Sequence, residues 1–260
     1  MRYRWSPGNL APPLKFFPHL GCLIALGITA VPQQNTRDYL QHLVEQRLIL
    51  RHYGGSANPS VKERDLNRKG GGCDEAVEVK AVTFTASSVQ LQLRNIGSPS
   101  IENKSKGCEI TPDEYSLRIT EFDQDQTREQ TENAIGYVLQ TPEAYLAANG
   151  VTLNLPLTSA TNQSPVDFPG PGLTAPKPVL TVYPNYSDAD RNARLQGVIT
   201  VRCVIGTDGL VHTPVIGKGL TDELNKLALE ALSFWRLEPV RSGTESVSAK
   251  IPVEFSFRMH

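Results

Sequence analysis

No run in this sequence is long and apolar enough to cross a bilayer as a helix. The longest, Leu20 to Val31, stops at Pro32 and falls well short of the roughly 20 residues that a spanning helix needs. An excess of one charge is missing too. The chain has 26 basic and 27 acidic residues, so no basic field invites nucleic acid and no acidic tail invites metal. Cysteine is scarce, at four, with no Cys-x-x-Cys pair and no Cys/His ligand spacing, which argues against a zinc or dithiol redox centre. The five histidines are scattered, and no nucleophile–base arrangement can be defended. Asp74, Glu75 and Glu78 lie close together, but their plain reading is the solvated start of a strand. The expectation is a protein without enzymatic activity and without a cofactor.

What is present begins with a basic lead (Arg2, Arg4, Lys15), the short apolar run, and small residues at its end. These are the parts of a secretory signal, with cleavage expected near Ala30. An uncleaved short membrane anchor and a buried N-terminal helix are the alternatives. Export to the periplasm changes how the cysteines read. Cys73 and Cys108 both sit in Gly- and charge-rich turns and are candidates for a disulfide in an oxidising compartment. Cys203 lies within the apolar alternation ITVRCVIG and reads as a small buried side chain.

Residues 33–160 read as a small, mostly-β mixed domain of no assignable role. Tyr39, Leu43, Val44 and Leu48 recur at helical spacing, and Ile49 to Tyr53 could begin a strand. Ser56 to Gly72 is polar and Gly-rich, hence a loop. Residues 76–97 alternate as a two-stranded hairpin, and Glu114 to Asp123 add a third strand. A helix follows from Thr141 to Asn149, with a Thr cap, Pro142 in its first turn and Gly150 after its end. Residues 161–178 carry Pro165, Pro169, Pro171, Pro176 and Pro178 and predict an extended linker with no core.

Residues 179–260 are patterned more cleanly. Ser187 caps a short helix, and Gly197 to Gly206 alternate as a strand. Asp208-Gly209 marks a hairpin turn and Leu210 to Gly217 return. Thr221 caps a helix whose apolar stripe is Leu224, Leu227, Ala228, Ala231 and Trp235. Pro239 is expected to stop that helix region, with Arg236 and Glu238 paired at its rim. Ser246 to Arg258 alternate without a break as a final strand. The fold class is α+β: helices on one face of a three-stranded antiparallel sheet.

This order resembles the TonB C-terminal domain. The resemblance runs from about Pro178 to Phe257. It rests on Tyr183-Pro184, the Ala/Arg-rich short helix with Leu195-Gln196-Gly197, the Asp208-Gly209 turn, the helix ending in Phe234-Trp235-Arg236-Leu237-Glu238-Pro239, and the alternating last strand. It implies an envelope protein that passes energy to outer-membrane transporters by binding a short extended segment of them. The open edge of a small sheet suits that task, because backbone groups accept an incoming strand with little demand on its sequence. Ile251, Val253 and Phe255 mark the acceptor strand. By analogy with the family Tyr183, Pro184, Arg194 and Gln196 become candidate contacts, against the plainer readings of a turn and a solvated charge. Inner-membrane motor proteins and a second copy of the chain are further candidate partners. Two features of a full transducer are not matched: a long anchor with a histidine inside it, where here His19 stands at the margin of a short run, and a long Pro-rich tether. A soluble periplasmic adaptor with the same peptide-binding module and no motor is the alternative. N-terminal sequencing of the exported protein separates the two.

Overall fold

The computed structural model describes residues 31–51, 62–65, 73–84, 88–102, 114–120, 128–153 and 164–258. The expected export signal and Cys108 lie outside the described residues.

Helix α1, Val31–Gln41, leads to strand β1, Arg47–Leu50. The helix ends before Leu48, which its spacing would recruit, and Leu48 joins the strand instead. Strand β2, Lys62–Asp65, lies within the stretch expected as a loop. It exists because it pairs with β5, Glu114–Thr120, a partner that its polar composition does not announce. Strands β3, Glu75–Phe84, and β4, Ser88–Ile101, form the expected hairpin. Helix α2, Arg128–Val138, and the short β6, Leu139–Gln140, precede helix α3, Pro142–Ala148. At the start of α3 the Thr141 hydroxyl accepts from the Ala144 N–H at 3.2 Å, satisfying a donor that the first turn leaves free.

The Pro-rich segment is paired chain rather than a bare linker. It holds β7, Val166–Asp167, β8, Leu173–Thr174, and the start of β9, Lys177–Pro184. After β9 come α4, Asp188–Asn192, β10, Gly197–Ile205, and β11, Val211–Lys218. Helix α5, Asp222–Leu232, is followed by β12, Arg236–Glu238, β13, Val240–Ser242, β14, Glu245–Val247, and β15, Ala249–Phe257. Gly209 takes φ 71° in the β10–β11 turn, a conformation that suits glycine. The final strand is therefore shorter than its unbroken alternation suggests, because β14 folds back on β13 before β15 begins.

Two main sheets result. The larger runs β12-β9-β4-β3-β1-β6, with β5 also on β4 and β2 on β5. The smaller runs β11-β10-β15-β7; its first three strands are the expected antiparallel trio, and β7 adds in parallel. One side of β4 carries β3. Its other side carries β5 along residues 88–94 and β9 along residues 97–101. Gly97 makes the second pairing possible: a Cβ there would lie 2.1 Å from the Tyr183 carbonyl oxygen. Strand β9 thus joins the C-terminal part of the chain to the sheet of the N-terminal part.

Helix α5 packs between the two sheets. Leu224, Leu227, Ala228 and Leu232 pack with Ile199, Val201, Phe255 and Phe257 of the smaller sheet. Ala231 and, just past the helix, Phe234 pack with Ile49, Ala76, Ile96, Leu180 and Val182 of the larger one. The opposite face of the larger sheet buries Val77, Val79, Leu91 and Leu93 with Leu40, Ile135 and Val138. A helix with two apolar sides is one that is covered twice.

Of the three carboxylates expected at a solvated strand start, Glu75 and Glu78 are buried in this arrangement and Asp74 is half-buried. Glu75 accepts from the Asn95 side-chain amide at 3.0 Å. Arg94 donates Nη2 to Glu78 and to Glu230 of α5, each at 2.7 Å. Burial alone would raise the Glu78 carboxyl, but the hydrogen bonds and charge of Arg94, with Lys80 behind, hold it below its ordinary value. Burial would likewise lower the Arg94 guanidinium, and Glu230 and Glu78 more than offset it.

Candidate functional site

In the smaller sheet β7 flanks β15 only at its start, and the direction of the β15 peptide groups follows from two hydrogen bonds. The Val166 N–H donates to the Ser248 carbonyl at 2.9 Å and the Phe168 N–H to the Lys250 carbonyl at 3.2 Å. Even-numbered residues therefore aim their backbone outward, since N–H and C=O of one strand residue share a side. Beyond β7 the edge that no other described strand pairs with consists of the Pro252 carbonyl and both peptide groups of Glu254 and Ser256. Pro252 supplies no donor. The outward groups belong to these residues rather than to Ile251, Val253 and Phe255, which aim their backbone at Cys203, Val201 and Ile199 of β10.

The side chains of those three face inward. Phe255 is buried against α5, Ile251 packs with Cys203 and Leu237, and Val253 touches both clusters. Cys203 is a free, buried thiol whose pKa burial pushes up to about 11. The opposite sheet face is open. There Arg202, Val204, Val215, Lys250 and Pro252 help line a shallow hollow of about 480 Å³ beside the edge. Val215 is 55 % exposed, so the sheet face beside this edge is apolar as well as charged.

The remaining candidates gather in two places. Tyr183 and Pro184 end β9, their backbone opposite Ser98 and Gly97; the Tyr183 ring is exposed. Arg194 and Gln196 are exposed in the turn before β10, Arg194 with φ 52°. Tyr186, which the sequence pattern does not single out, ties this stretch to the end of β15. Its hydroxyl donates to the Leu195 carbonyl at 2.8 Å, and its ring meets Phe257 edge-on at 5.2 Å. The only hint of it in sequence is a second aromatic in Tyr183-Pro184-Asn185-Tyr186. Cys73 is disulfide-bonded.

The Phe234 to Pro239 stretch differs from its sequence reading. Helix α5 ends at Leu232, well before Pro239, with Ser233 as its cap. Trp235 lies past the helix and is half-buried. Its indole N–H donates to the Val182 carbonyl at 3.0 Å, and its ring meets Phe255 edge-on at 5.8 Å. Phe234, not Trp235, is the fully buried aromatic. Arg236 does not pair with Glu238 at a rim. It is buried, with Nη2 2.6 Å from Glu143 at the start of α3, while Glu238 is exposed near Lys177. Asp208 and Gly209 hold the β10–β11 turn: Asp208 accepts from the Leu210 N–H at 3.0 Å, and the Gly209 carbonyl accepts from the Leu237 N–H.

Residues 182–259 match the family model of the Gram-negative bacterial TonB protein C-terminal. This part of the chain is a TonB C-terminal domain. No curated protein matches the chain. The match opens within β9 and takes in α4, β10, β11, α5 and β12 to β15, so the short helix, the β10–β11 hairpin, α5 and β15 are the domain's own parts. A TonB C-terminal domain is a non-enzymatic protein-interaction module of envelope proteins involved in energy coupling to transport. Among the described residues no helix is long and apolar enough to cross a membrane.

Proposed function

We propose that this chain docks an extended segment of an outer-membrane transporter on the free edge of β15, as part of energy transfer to that transporter. The observation that carries this reading is the outward row of peptide groups at Pro252, Glu254 and Ser256, on an edge strand beside a part-apolar sheet face. Recognition through backbone groups asks for an extended partner and tolerates varied side chains. Tyr183 at the end of β9, and Arg194 and Gln196 in the stretch that Tyr186 ties to the end of β15, are the side chains proposed to read the partner.

The test follows from the parity of β15. Glu254→Pro removes an outward N–H and leaves the ladder to β10 intact. Synthetic peptides copying the N-terminal segments of outer-membrane transporters, titrated calorimetrically into the full chain, should bind that variant several-fold more weakly, the loss of about one hydrogen bond worth roughly 0.5–1.5 kcal/mol. Unchanged affinity for a peptide that binds the natural chain removes strand addition on this edge.

A further inference from the structure

The edge of β15 is not wholly free, because the chain already uses its beginning. Strand β7 runs parallel to β15 with Val166 opposite Ala249 and Asp167 opposite Lys250. The two backbone hydrogen bonds from Val166 and Phe168 take up the carbonyls of Ser248 and Lys250. The Asp167 carboxylate lies 3.3 Å from the Lys250 ammonium. Pairing stops at Pro252, which has no N–H for the next rung. Beyond β7 the segment is secured again, because β8 pairs with β13 through Thr174 and Leu173 opposite Arg241 and Ser242. Only residues 169–172 separate the two pairings.

From this geometry we infer that Val166–Phe168 is an internal lock on the docking edge, which a partner strand must displace to use the whole of β15. The lock and the partner compete for the same peptide groups, those of Ser248 and Lys250. With the lock closed an incoming strand has only the groups from Pro252 onward. A short tether holds the lock near its site at an effective concentration in roughly the millimolar range. The lock itself is small and solvent-facing: Val166 is 37 % exposed, and the Asp167–Lys250 pair lies in water. It therefore opens readily and weakens partner binding without preventing it. A lock closed about nine-tenths of the time lowers the apparent affinity of a partner that needs the whole edge by about tenfold. The competition with a transporter rests on the reading of β15 as the docking edge; the pairing of β7 does not.

The double variant Val166→Pro, Asp167→Lys removes one donor and turns the ion pair into a repulsion, at two exposed positions away from every core cluster. In the full natural chain the Phe168 amide should exchange with solvent at least about tenfold more slowly than in the double variant. A peptide of residues 164–170, Ser-Pro-Val-Asp-Phe-Pro-Gly, added at millimolar concentration should shift the Lys250 amide resonance of the variant and leave that of the natural chain in place. Equal exchange rates in the two proteins, or equal shifts, overturn the lock. Transporter-segment peptides should then bind the variant about tenfold more tightly, and equal measurable affinities overturn the lock as a gate. If they bind neither protein while the 164–170 peptide binds the variant, the lock stands and the transporter reading falls.

Discussion

Two adjacent aromatics, Phe234 and Trp235, serve different cores. Phe234 is 1 % exposed among Ile49, Ile96, Tyr145 and Leu180. Trp235 is half-buried between Phe255 and the Val182 carbonyl. Truncating a fully buried aromatic costs about 3–5 kcal/mol, because the cavity adds to the lost transfer energy. Phe234→Ala should therefore destabilise the chain by about that much in urea unfolding, and Trp235→Ala should cost less, its partly exposed ring losing fewer contacts. The reverse order would mean that the N-terminal part does not rest on the C-terminal domain. Helical spacing selects Trp235, since it continues the stripe of Leu224, Leu227, Ala228 and Ala231. The chain leaves the helix at Leu232, so spacing stops being informative one turn too early.

At the scale of elements, helix α5 is held by Arg94 as well as by its apolar stripe. Glu230 projects from α5 towards β3 and β4, and Arg94 joins it to Glu78. Arg94→Ala leaves two buried carboxylates without their shared cation, a change that typically costs about 3–5 kcal/mol; denaturant unfolding measures it. Acid should act on the same triad. The folded Glu78 carboxyl lies below the ordinary 4.5, so between its folded value and 4.5 the unfolded chain binds more protons than the native one. Its contribution is complete above the ordinary carboxylate range and is lost as pH falls through the folded value. Stability profiled across roughly pH 3 to 7 should fall on the acid side, and less steeply in Glu78→Gln. Elements whose signals are local were readable from the sequence: the Thr141 and Thr221 caps, the Asp208-Gly209 turn, the alternation of β10 and β15. Those made by distant pairing were not. Lys62–Asp65 is a strand only because β5 lies beside it. Val179, Leu180, Thr181 and Val182 are all buried, the mark of a strand covered on both faces, yet the prolines around them speak for a linker.

On the scale of the whole molecule, α5 and β9 make one framework of two sheets. A fragment of residues 178–260 would expose Val179, Leu180, Val182, Ala231 and Phe234 together and leave Glu230 without Arg94. It should be less stable than the full chain and bind a hydrophobic dye, whereas the full chain should unfold in a single transition by circular dichroism and fluorescence. A fragment that unfolds cooperatively at the midpoint of the full chain would show the two parts to be independent.

The pairing of β9 with β4 also has a mechanical meaning. A pull delivered to β15 passes to β10 through their shared ladder, and to β9 through Trp235. From β9 it enters β4 through a run of rungs closed tightly at Gly97. Strands loaded lengthwise share the load among their rungs, whereas strands peeled from one end yield rung by rung. The N-terminal part is then the mount on which the proposed docking edge is braced, and Gly97 is a point of close approach within that mount.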